Sequence, residues 1–212
     1  MGSPLTTSSF PGFESVFKLS DPVANPPFRG KLLFEKPFRL LRAELSPPEP
    51  VRVEHAMGGK PQDLIWTTWA AVFLISDRVR ELLEGAHVTG WKTYPVEVTD
   101  RQGAIIPGYH GFAATGRCGP IDPSRSELYL KPPPVPQGKA CWHRKGLFFE
   151  PSSWDGSDVF CPSDGSGFIF LLDRVKRLLE KAKVRNVKFK KLVDYEVLVP
   201  RAELDPPVSA LN

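Results

Sequence analysis

The sequence contains one short segment twice, and this repetition limits the folds that the chain can adopt. The first copy is SDRVRELLEGAHV, residues 76–88, and the second is LDRVKRLLEKAKV, residues 172–184. Eight of the thirteen aligned positions are identical. Self-similarity of this kind indicates a reused structural unit, and two copies are too few for a solenoid. The alternative is coincidence, because helix-forming residues recur in unrelated surface helices.

Each copy predicts an amphipathic helix that follows a buried strand. In the first copy, AAVFLIS is an apolar run suited to a buried strand, and Ser76 or Asp77 can cap the helix. In the second copy, GFIFLL replaces that strand and Asp173 replaces the cap. Apolar residues then follow at positions i, i+3, i+4 and i+7 of both helices. These apolar stripes are Val79, Leu82, Leu83 and Ala86 in the first copy, and Val175, Leu178, Leu179 and Ala182 in the second.

Both helices are followed by a residue that favours left-handed backbone and then by a predicted strand. The residue is Gly90 in the first copy and Asn186 in the second. The strand is WKTYPVEV in the first copy, and VKFKKLVDYEVLVP supplies one or two strands in the second. We therefore predict an α+β fold with two similar strand-helix-strand units, a mixed or antiparallel sheet and Pro-rich connectors.

Proline divides the chain into short segments. The 212 residues include 23 prolines, roughly twice the usual share of about 5%. The run KPPPVPQG cannot take part in a regular strand ladder, because proline has no amide hydrogen. We place a lobe boundary there. The predicted division is a loose tail at 1–12, an N-terminal lobe with the first copy at 13–130, a Pro-rich connector at 131–139, a C-terminal lobe with the second copy at 140–203, and a loose tail at 204–212.

The sequence predicts a cytoplasmic protein with no membrane partner. Its first residues have no basic segment followed by an apolar run, which a secretory signal would require. The longest apolar stretch, WAAVFLI, is far shorter than the roughly 20 residues of a membrane-spanning helix. The three cysteines include no CxxC pair, and an odd number fits free thiols better than a disulfide framework.

No group of residues predicts catalysis, a cofactor or a metal site. The residues of zinc-binding type are far apart, with only Cys141 and His143 close in sequence. The chain has no GxSxG elbow and no phosphate-binding glycine loop. We therefore expect no catalytic residues, no cofactor and no metal ligands among the candidates, which are His110, Cys118, Cys141, His143 and Cys161.

The second copy carries most of the positive charge. Residues 173–191 have a net charge of +7, whereas the whole chain has +4, so the remainder is acidic. Such a segment can attract phosphates or an acidic protein surface, although a solvated helix face is the ordinary alternative. Arginine and tryptophan are enriched at binding hot spots, while tryptophan is as often a core residue. The candidate partner-binding residues are Arg174, Arg177, Lys181, Trp91 and Trp154.

Three stretches together resemble a known group of bacterial proteins. They are FLISDRVRELLEGAHVTGWKTYPVEV, PGYHGFAATGRCGPID and SDVFCPSDGSGFIFLLDRVKRLLEKAKVRNVKFKKL. The chain resembles the immunity proteins of polymorphic-toxin systems found in myxobacteria, which are related to the double-CxxCG motif proteins. The likeness covers about residues 66–197. The chain departs from the double-CxxCG relatives because GRCG around Cys118 holds a single cysteine and no CxxC pair is present.

The resemblance implies a non-enzymatic immunity protein that binds and neutralises a cognate toxin. The charge pattern leaves a second hypothesis open, a nucleic-acid-binding module that uses residues 173–191. Salt dependence distinguishes them, because neutralising phosphates makes affinity fall steeply with salt concentration.

Overall fold

The structure, a computed structural model, describes residues 9–22, 27–133 and 135–200. Most of the predicted tails, 1–12 and 204–212, lies outside these ranges. Along the described chain lie β1 (Val16–Ser20), β2 (Phe28–Leu32), α1 (Pro37–Leu41), β3 (Val51–Gly58), β4 (Leu64–Thr67), β5 (Phe73–Ser76), α2 (Asp77–Gly85), β6 (Trp91–Thr99), β7 (Tyr109–Ala114), β8 (Gly116–Cys118), β9 (Glu127–Lys131), β10 (Cys141–Lys145), β11 (Val159–Pro162), β12 (Phe170–Leu172), α3 (Asp173–Lys181), β13 (Lys188–Lys191) and β14 (Glu196–Leu198). Short 3-10 turns occur at Phe13–Ser15, Pro123–Arg125, Pro151–Ser153 and Leu192–Asp194.

The strands form three sheets, and with the helices they make an α+β fold, as the sequence predicts. Six strands close into a barrel in the order β2-β3-β6-β7-β5-β4. A second sheet has the order β13-β1-β12-β11-β8, and a third has the order β14-β10-β9. Antiparallel and parallel pairs occur together, so the sheets are mixed.

Side chains fill both faces of the barrel wall. On one face, the ring of Tyr94 packs over Gly111. A Cβ atom at position 111 would lie only 2.0 Å from that ring. On the other face, aromatic rings of four neighbouring strands follow one another at centroid distances of 5.0, 4.8 and 5.9 Å. This aromatic ladder consists of Trp66, Phe73, Phe112 and Trp91.

Five barrel strands and the five-stranded sheet have the same order and the same relative directions. The barrel series β6-β7-β5-β4-β2 has three antiparallel pairs and then a parallel one. The series β13-β1-β12-β11-β8 also has three antiparallel pairs and then a parallel one. In both series, the two strands that flank the helix are separated by a third strand, β7 or β1. The sequence analysis did not predict this intervening strand.

The intervening strand comes from a different part of the chain in each series. In the barrel, β7 follows β6 directly, whereas β1 of the second sheet is the first strand of the chain. Strand pairing therefore crosses the predicted lobe boundary at 131–139. The division into lobes and the origin of the two series by duplication both remain predictions. The connector joins β9 and β10, which pair with each other as a hairpin.

The two helices pack against one continuous core. Val79 and Leu83 of α2, and Val175 and Leu179 of α3, are all buried in the same apolar cluster. Leu82, Ala86, Leu178 and Ala182 are half-buried beside them. The two copies therefore share one core, because the apolar stripes of both helices contribute to the same cluster. A second, smaller core cluster contains Phe149, Phe160 and Phe170.

The helix boundaries follow most of the predicted local signals. Ser76 caps α2, where its hydroxyl accepts a hydrogen bond from the amide of Val79 at 3.4 Å. The predicted cap Asp173 is the first residue of α3, and Leu172 before it provides no side-chain cap. Gly90 and Asn186 have φ angles of +83° and +64°, so both adopt the predicted left-handed backbone. The apolar stretch GLFFE, residues 146–150, forms no strand.

We expect Leu83→Ala and Leu179→Ala each to lower the free energy of unfolding by about 2–5 kcal/mol, because each leaves a cavity in the shared core. Urea unfolding of the two variants would measure this. The matched control is Leu82→Ala on the half-buried side of α2, which should cost less. A loss below about 1 kcal/mol for either buried leucine would contradict this packing.

Lys18 of β1 is a buried cation beside aromatic rings. Its Nζ lies 4.7 Å from the ring centroid of Tyr195 and 5.5 Å from that of Phe168. It donates a hydrogen bond of 3.1 Å to the hydroxyl of Ser20. Burial lowers the pKa of Lys18 from 10.5 to about 8. The folded state therefore disfavours the charged form of this amine.

This pKa makes stability depend on pH. Below pH 8 the folded protein holds the charge at a cost, and between about pH 8 and 10.5 the unfolded chain binds more protons than the folded one, so stability rises. We expect Lys18→Met to be more stable than the natural protein at pH 7 by up to about 3 kcal/mol. That difference should shrink as the pH rises to 10.5. Unfolding titrations of both proteins across this range test it, and a difference that stays constant would contradict it.

Candidate partner-binding surface

The first of two equivalent carboxylates joins the start of α2 to the chain after α3. Asp63, just before β4, accepts hydrogen bonds of 3.0 and 2.9 Å from the guanidinium of Arg78. It also accepts one of 2.7 Å from the backbone amide of Arg185. Arg78 donates a further bond of 3.0 Å to the carbonyl of Ala182 at the end of α3. One carboxylate thus connects both helices.

The second carboxylate makes the equivalent contacts with the two helices exchanged, because it joins the start of α3 to the chain after α2. Asp158, just before β11, accepts hydrogen bonds from Nε and Nη2 of the Arg174 guanidinium, one at each carboxylate oxygen. It accepts hydrogen bonds of 2.8 and 2.9 Å from the amide and the hydroxyl of Thr89, in the chain after α2. Arg174 also donates to the carbonyls of Ala86 and His87. Burial raises the pKa of Asp158, but the hydrogen bonds from Arg174 and Thr89 outweigh burial and hold that pKa below its ordinary value.

We call these two sets of contacts the reciprocal clasp, made of Asp63, Arg78 and Arg185 on one side and Asp158, Arg174 and Thr89 on the other. The start of each helix lies beside the end of the other, where a cation interacts favourably with the helix dipole. The sequence analysis missed the clasp. The available signal was that both copies begin the helix with DRV and that an aspartate precedes the strand pair before each helix.

The clasp should be asymmetric in energy. Asp158 is the more deeply buried carboxylate, with a side chain 7% exposed against 13% for Asp63. Besides its arginine, Asp158 accepts from both the amide and the hydroxyl of Thr89, whereas Asp63 accepts only from the amide of Arg185, so removing Asp158 breaks more contacts. We expect Asp158→Ala to cost about 2–4 kcal/mol of unfolding free energy and Asp63→Ala about 1–2 kcal/mol. Denaturant unfolding gives both values, with the exposed Glu81→Ala as a control expected within about 0.5 kcal/mol of the natural protein. Equal costs for the two aspartates would contradict the asymmetry.

The outer face of α3 is cationic, whereas the equivalent face of α2 is not. Arg174, Arg177 and Lys181 are exposed and occur at positions i, i+3 and i+7, so they share one face. At the positions of Arg177 and Lys181, α2 has Glu81 and Gly85. The exposed cations of the second copy continue beyond the helix with Lys183, Arg185, Lys188 and Lys190.

The basic surface borders an open depression at the Asp63 side of the clasp. This depression has a volume of about 470 Å³. Lys183 and Arg185 line it, together with Arg78 and the half-buried Tyr109. Because the Asp63 carboxylate is held by Arg78 and Arg185, the lysine and arginine groups at the rim are the parts best placed to meet an acidic group of a partner.

The predicted partner-binding residues occupy different environments. Arg174 belongs to the clasp, and Arg177 forms an i,i+4 ion pair of 2.6 Å with Asp173. Trp91 is half-buried at the end of the aromatic ladder, and its indole N–H donates to the carbonyl of Val88 at 2.8 Å. Trp154 is half-buried in the second core cluster, and its N–H donates to Ser157 at 2.9 Å. The indole N–H of each tryptophan is therefore already bonded within the chain, and each ring packs against a core cluster.

Two of the three cysteines lie on neighbouring strands. Cys118 and Cys161 are buried free thiols on the neighbouring strands β8 and β11, where burial raises the pKa of both. Cys141 is an exposed free thiol on β10. His110 bonds to the Asp77 carboxylate at the start of α2, with 2.7 Å between the atoms. Within the described ranges, no group of three or more metal-binding side chains is present.

Comparison with known proteins bears on the function of this surface. The model of the immunity protein family Imm11 matches residues 15–194. The chain belongs to the immunity protein family Imm11. The region that matches the Imm11 model contains both helices of the clasp and every described strand except β14. A search of curated proteins finds no match. In the described part of this Imm11 protein, no helix has the length and apolar character needed to cross a membrane.

Proposed function

We propose that this Imm11 protein protects its cell by binding a cognate toxin in the cytoplasm and that it catalyses no reaction. The observation that carries this proposal is the match of the immunity family to residues 15–194, which include the barrel, the five-stranded sheet and both helices of the clasp. The absence of a predicted catalytic constellation in the sequence supports a binding role. Protection by binding requires a stable surface rather than a reactive group, and the clasp supplies a rigid frame for such a surface.

We propose that the toxin binds the α3 face. The two helices have the same place in their strand series and the same apolar stripe, so their outer faces differ mainly in charge. Arg177 and Lys181 replace Glu81 and Gly85, a change that packing of the core does not require. The duplication that we propose would leave α2 as the structural member of the pair and α3 as the member with a binding face.

A cationic face selects an acidic partner surface. Charge complementarity raises the association rate and disfavours wrong partners, while neighbouring buried contacts supply most of the affinity. Arg177 and Lys181 carry the charge at the centre of the face, and the rim of the depression carries Lys183 and Arg185. The acidic partner would place its carboxylates along one side of α3. Trp91 and Trp154 are secondary candidates because both are partly committed to their own core contacts.

The test uses the toxin domain encoded beside this protein. The natural protein should restore growth when co-expressed with that toxin and should retain it in a pull-down. The double variant Arg177→Glu with Lys181→Glu should bind at least about tenfold more weakly, which corresponds to about 1.4 kcal/mol. Isothermal titration calorimetry would measure the change.

The matched control is Lys36→Glu with Lys60→Glu, which changes the net charge equally at exposed lysines that belong neither to α3 nor to the lining of the depression. This control should bind like the natural protein. Equal affinity for the α3 variant would show that the toxin binds elsewhere. Failure of the natural protein to bind the toxin or restore growth would refute the immunity proposal.

The same exposed cations keep nucleic-acid binding as the second candidate. Seven exposed lysines and arginines lie on α3 and in the chain that follows it, which is a footprint suited to phosphates. A salt series separates the candidates, because each neutralised phosphate contributes about 0.9 to the slope of log affinity against log salt. A steep slope with duplex DNA, together with no toxin binding, would favour this alternative.

A further inference from the structure

The third sheet is an exposed, partly apolar structure that the proposed toxin surface does not use. No described residue between 127 and 145 is buried. Four large apolar side chains of this sheet are 40–58% exposed. Apolar side chains gathered on an exposed sheet mark an interaction surface more often than scattered ones do. These residues are Leu128, Leu130, Trp142 and Leu198.

Strand β9 is an edge of this sheet. The sheet order is β14-β10-β9, and in the described part of the chain no strand pairs with the outer side of β9. Alternate residues of an edge strand leave backbone N–H and C=O groups available for pairing with another chain. The edge is also short, because Pro132 and Pro133 follow it and cannot donate to a ladder.

The five residues of β9, Glu-Leu-Tyr-Leu-Lys, are complementary to themselves in antiparallel pairing. If two copies pair around Tyr129, Glu127 of each copy lies opposite Lys131 of the other, and Leu128 lies opposite Leu130. Opposite charges and apolar pairs at directly facing positions both stabilise antiparallel strands. In any other register of this strand against itself, the glutamate no longer faces the lysine and Leu128 no longer faces Leu130.

We propose that this protein forms a symmetric dimer by antiparallel pairing of β9 with β9 of a second copy. The dimer joins two three-stranded sheets into one six-stranded sheet, and the contact is the same patch on both copies, as a two-fold axis requires. This proposal does not depend on the identity of a toxin or on toxin binding.

The strand register places the exposed apolar groups where the dimer would use them. Trp142 lies opposite Leu130 and Arg144 opposite Leu128, so Trp142, Leu128 and Leu130 project from the same face of the sheet. Pairing of two copies brings both sets next to each other on one continuous face. On the other face, Lys131 is already paired with Glu196 of its own chain, and Glu127 of the second copy would extend this pair into a network.

The dimer should be weak, because the paired strand is short. Five residues span about 17 Å, so the contact belongs to the small class of interfaces, which form weak or transient complexes. The two-fold contact uses the free edge of both β9 strands, so no edge of β9 remains for a third copy. The proline run after β9 then limits the pairing to these five residues.

Sedimentation velocity over a concentration series tests the proposal on the full chain without toxin. The natural protein should shift from 23.6 kDa toward twice that mass as its concentration rises. Glu127→Lys and Lys131→Glu should each weaken the dimer by at least about tenfold, because each variant places like charges opposite each other. An equimolar mixture of the two variants should recover association to within about threefold of the natural protein, since opposite charges again face each other.

Glu81→Lys is the matched control, because it makes the same charge change on exposed α2 and should leave the dimer unchanged. A monomer at all concentrations would overturn the proposal, as would full association of Glu127→Lys or a mixture that does not recover. If the natural protein is monomeric and the toxin protects the β9 amides from hydrogen exchange, the toxin occupies this edge instead.

Cross-linking gives the register directly. Tyr129 lies on the two-fold axis, so the facing α-carbons in the dimer are within the range that a disulfide spans. In a Cys141→Ser background, Tyr129→Cys should form a disulfide-linked dimer under mild oxidation, and Leu128→Cys should form much less. Equal cross-linking of both, or none, would contradict pairing around Tyr129.

Discussion

The reciprocal clasp is the interaction on which the rest of the structure depends. Asp63 and Asp158 each bind an arginine at the start of one helix and a backbone amide after the other helix. Other hydrogen bonds also join the two strand series, such as the one of 2.7 Å from the indole N–H of Trp66 to the carbonyl of Asn186, but those of the clasp involve charged groups. Hydrogen bonds to a charged group are stronger than those between neutral groups, and bidentate arginine pairs add geometric specificity. The clasp therefore sets how the barrel and the second sheet meet.

The clasp also explains why the two copies can differ on their outer faces. Their shared residues are those that the clasp and the core require: the arginine at the second helical position and the buried valine and leucine. The outward positions contact neither the core nor the clasp. At two of them, α3 has Arg177 and Lys181, whereas α2 has Glu81 and Gly85. The charge of the outer face can therefore change without altering the core or the clasp.

The third sheet has a different physical character. Its strands contribute little to either core: β9 has no buried residue, and β10 has none either. The residues after β10 tie it to the body instead, where the amide of Gly146 bonds to Tyr195 at 2.8 Å and Leu147 enters the second core cluster. An anchored sheet with an exposed edge is suited to recognition of another chain through its backbone.

The sequence by itself determined the α+β class, the positions of α2 and α3, their buried stripes and the left-handed exits at Gly90 and Asn186. These features follow from local preference and from apolar periodicity, which act over a few residues. The resemblance carried by three stretches of the sequence also pointed to the immunity family. Only the tertiary structure decided that β1 takes the place beside β12 and β13, that Asp63 and Asp158 join the helices, and that β9 is an edge. Strand partners and ion pairs between distant residues depend on which surfaces meet, and the helical and strand periods within each segment do not encode that choice.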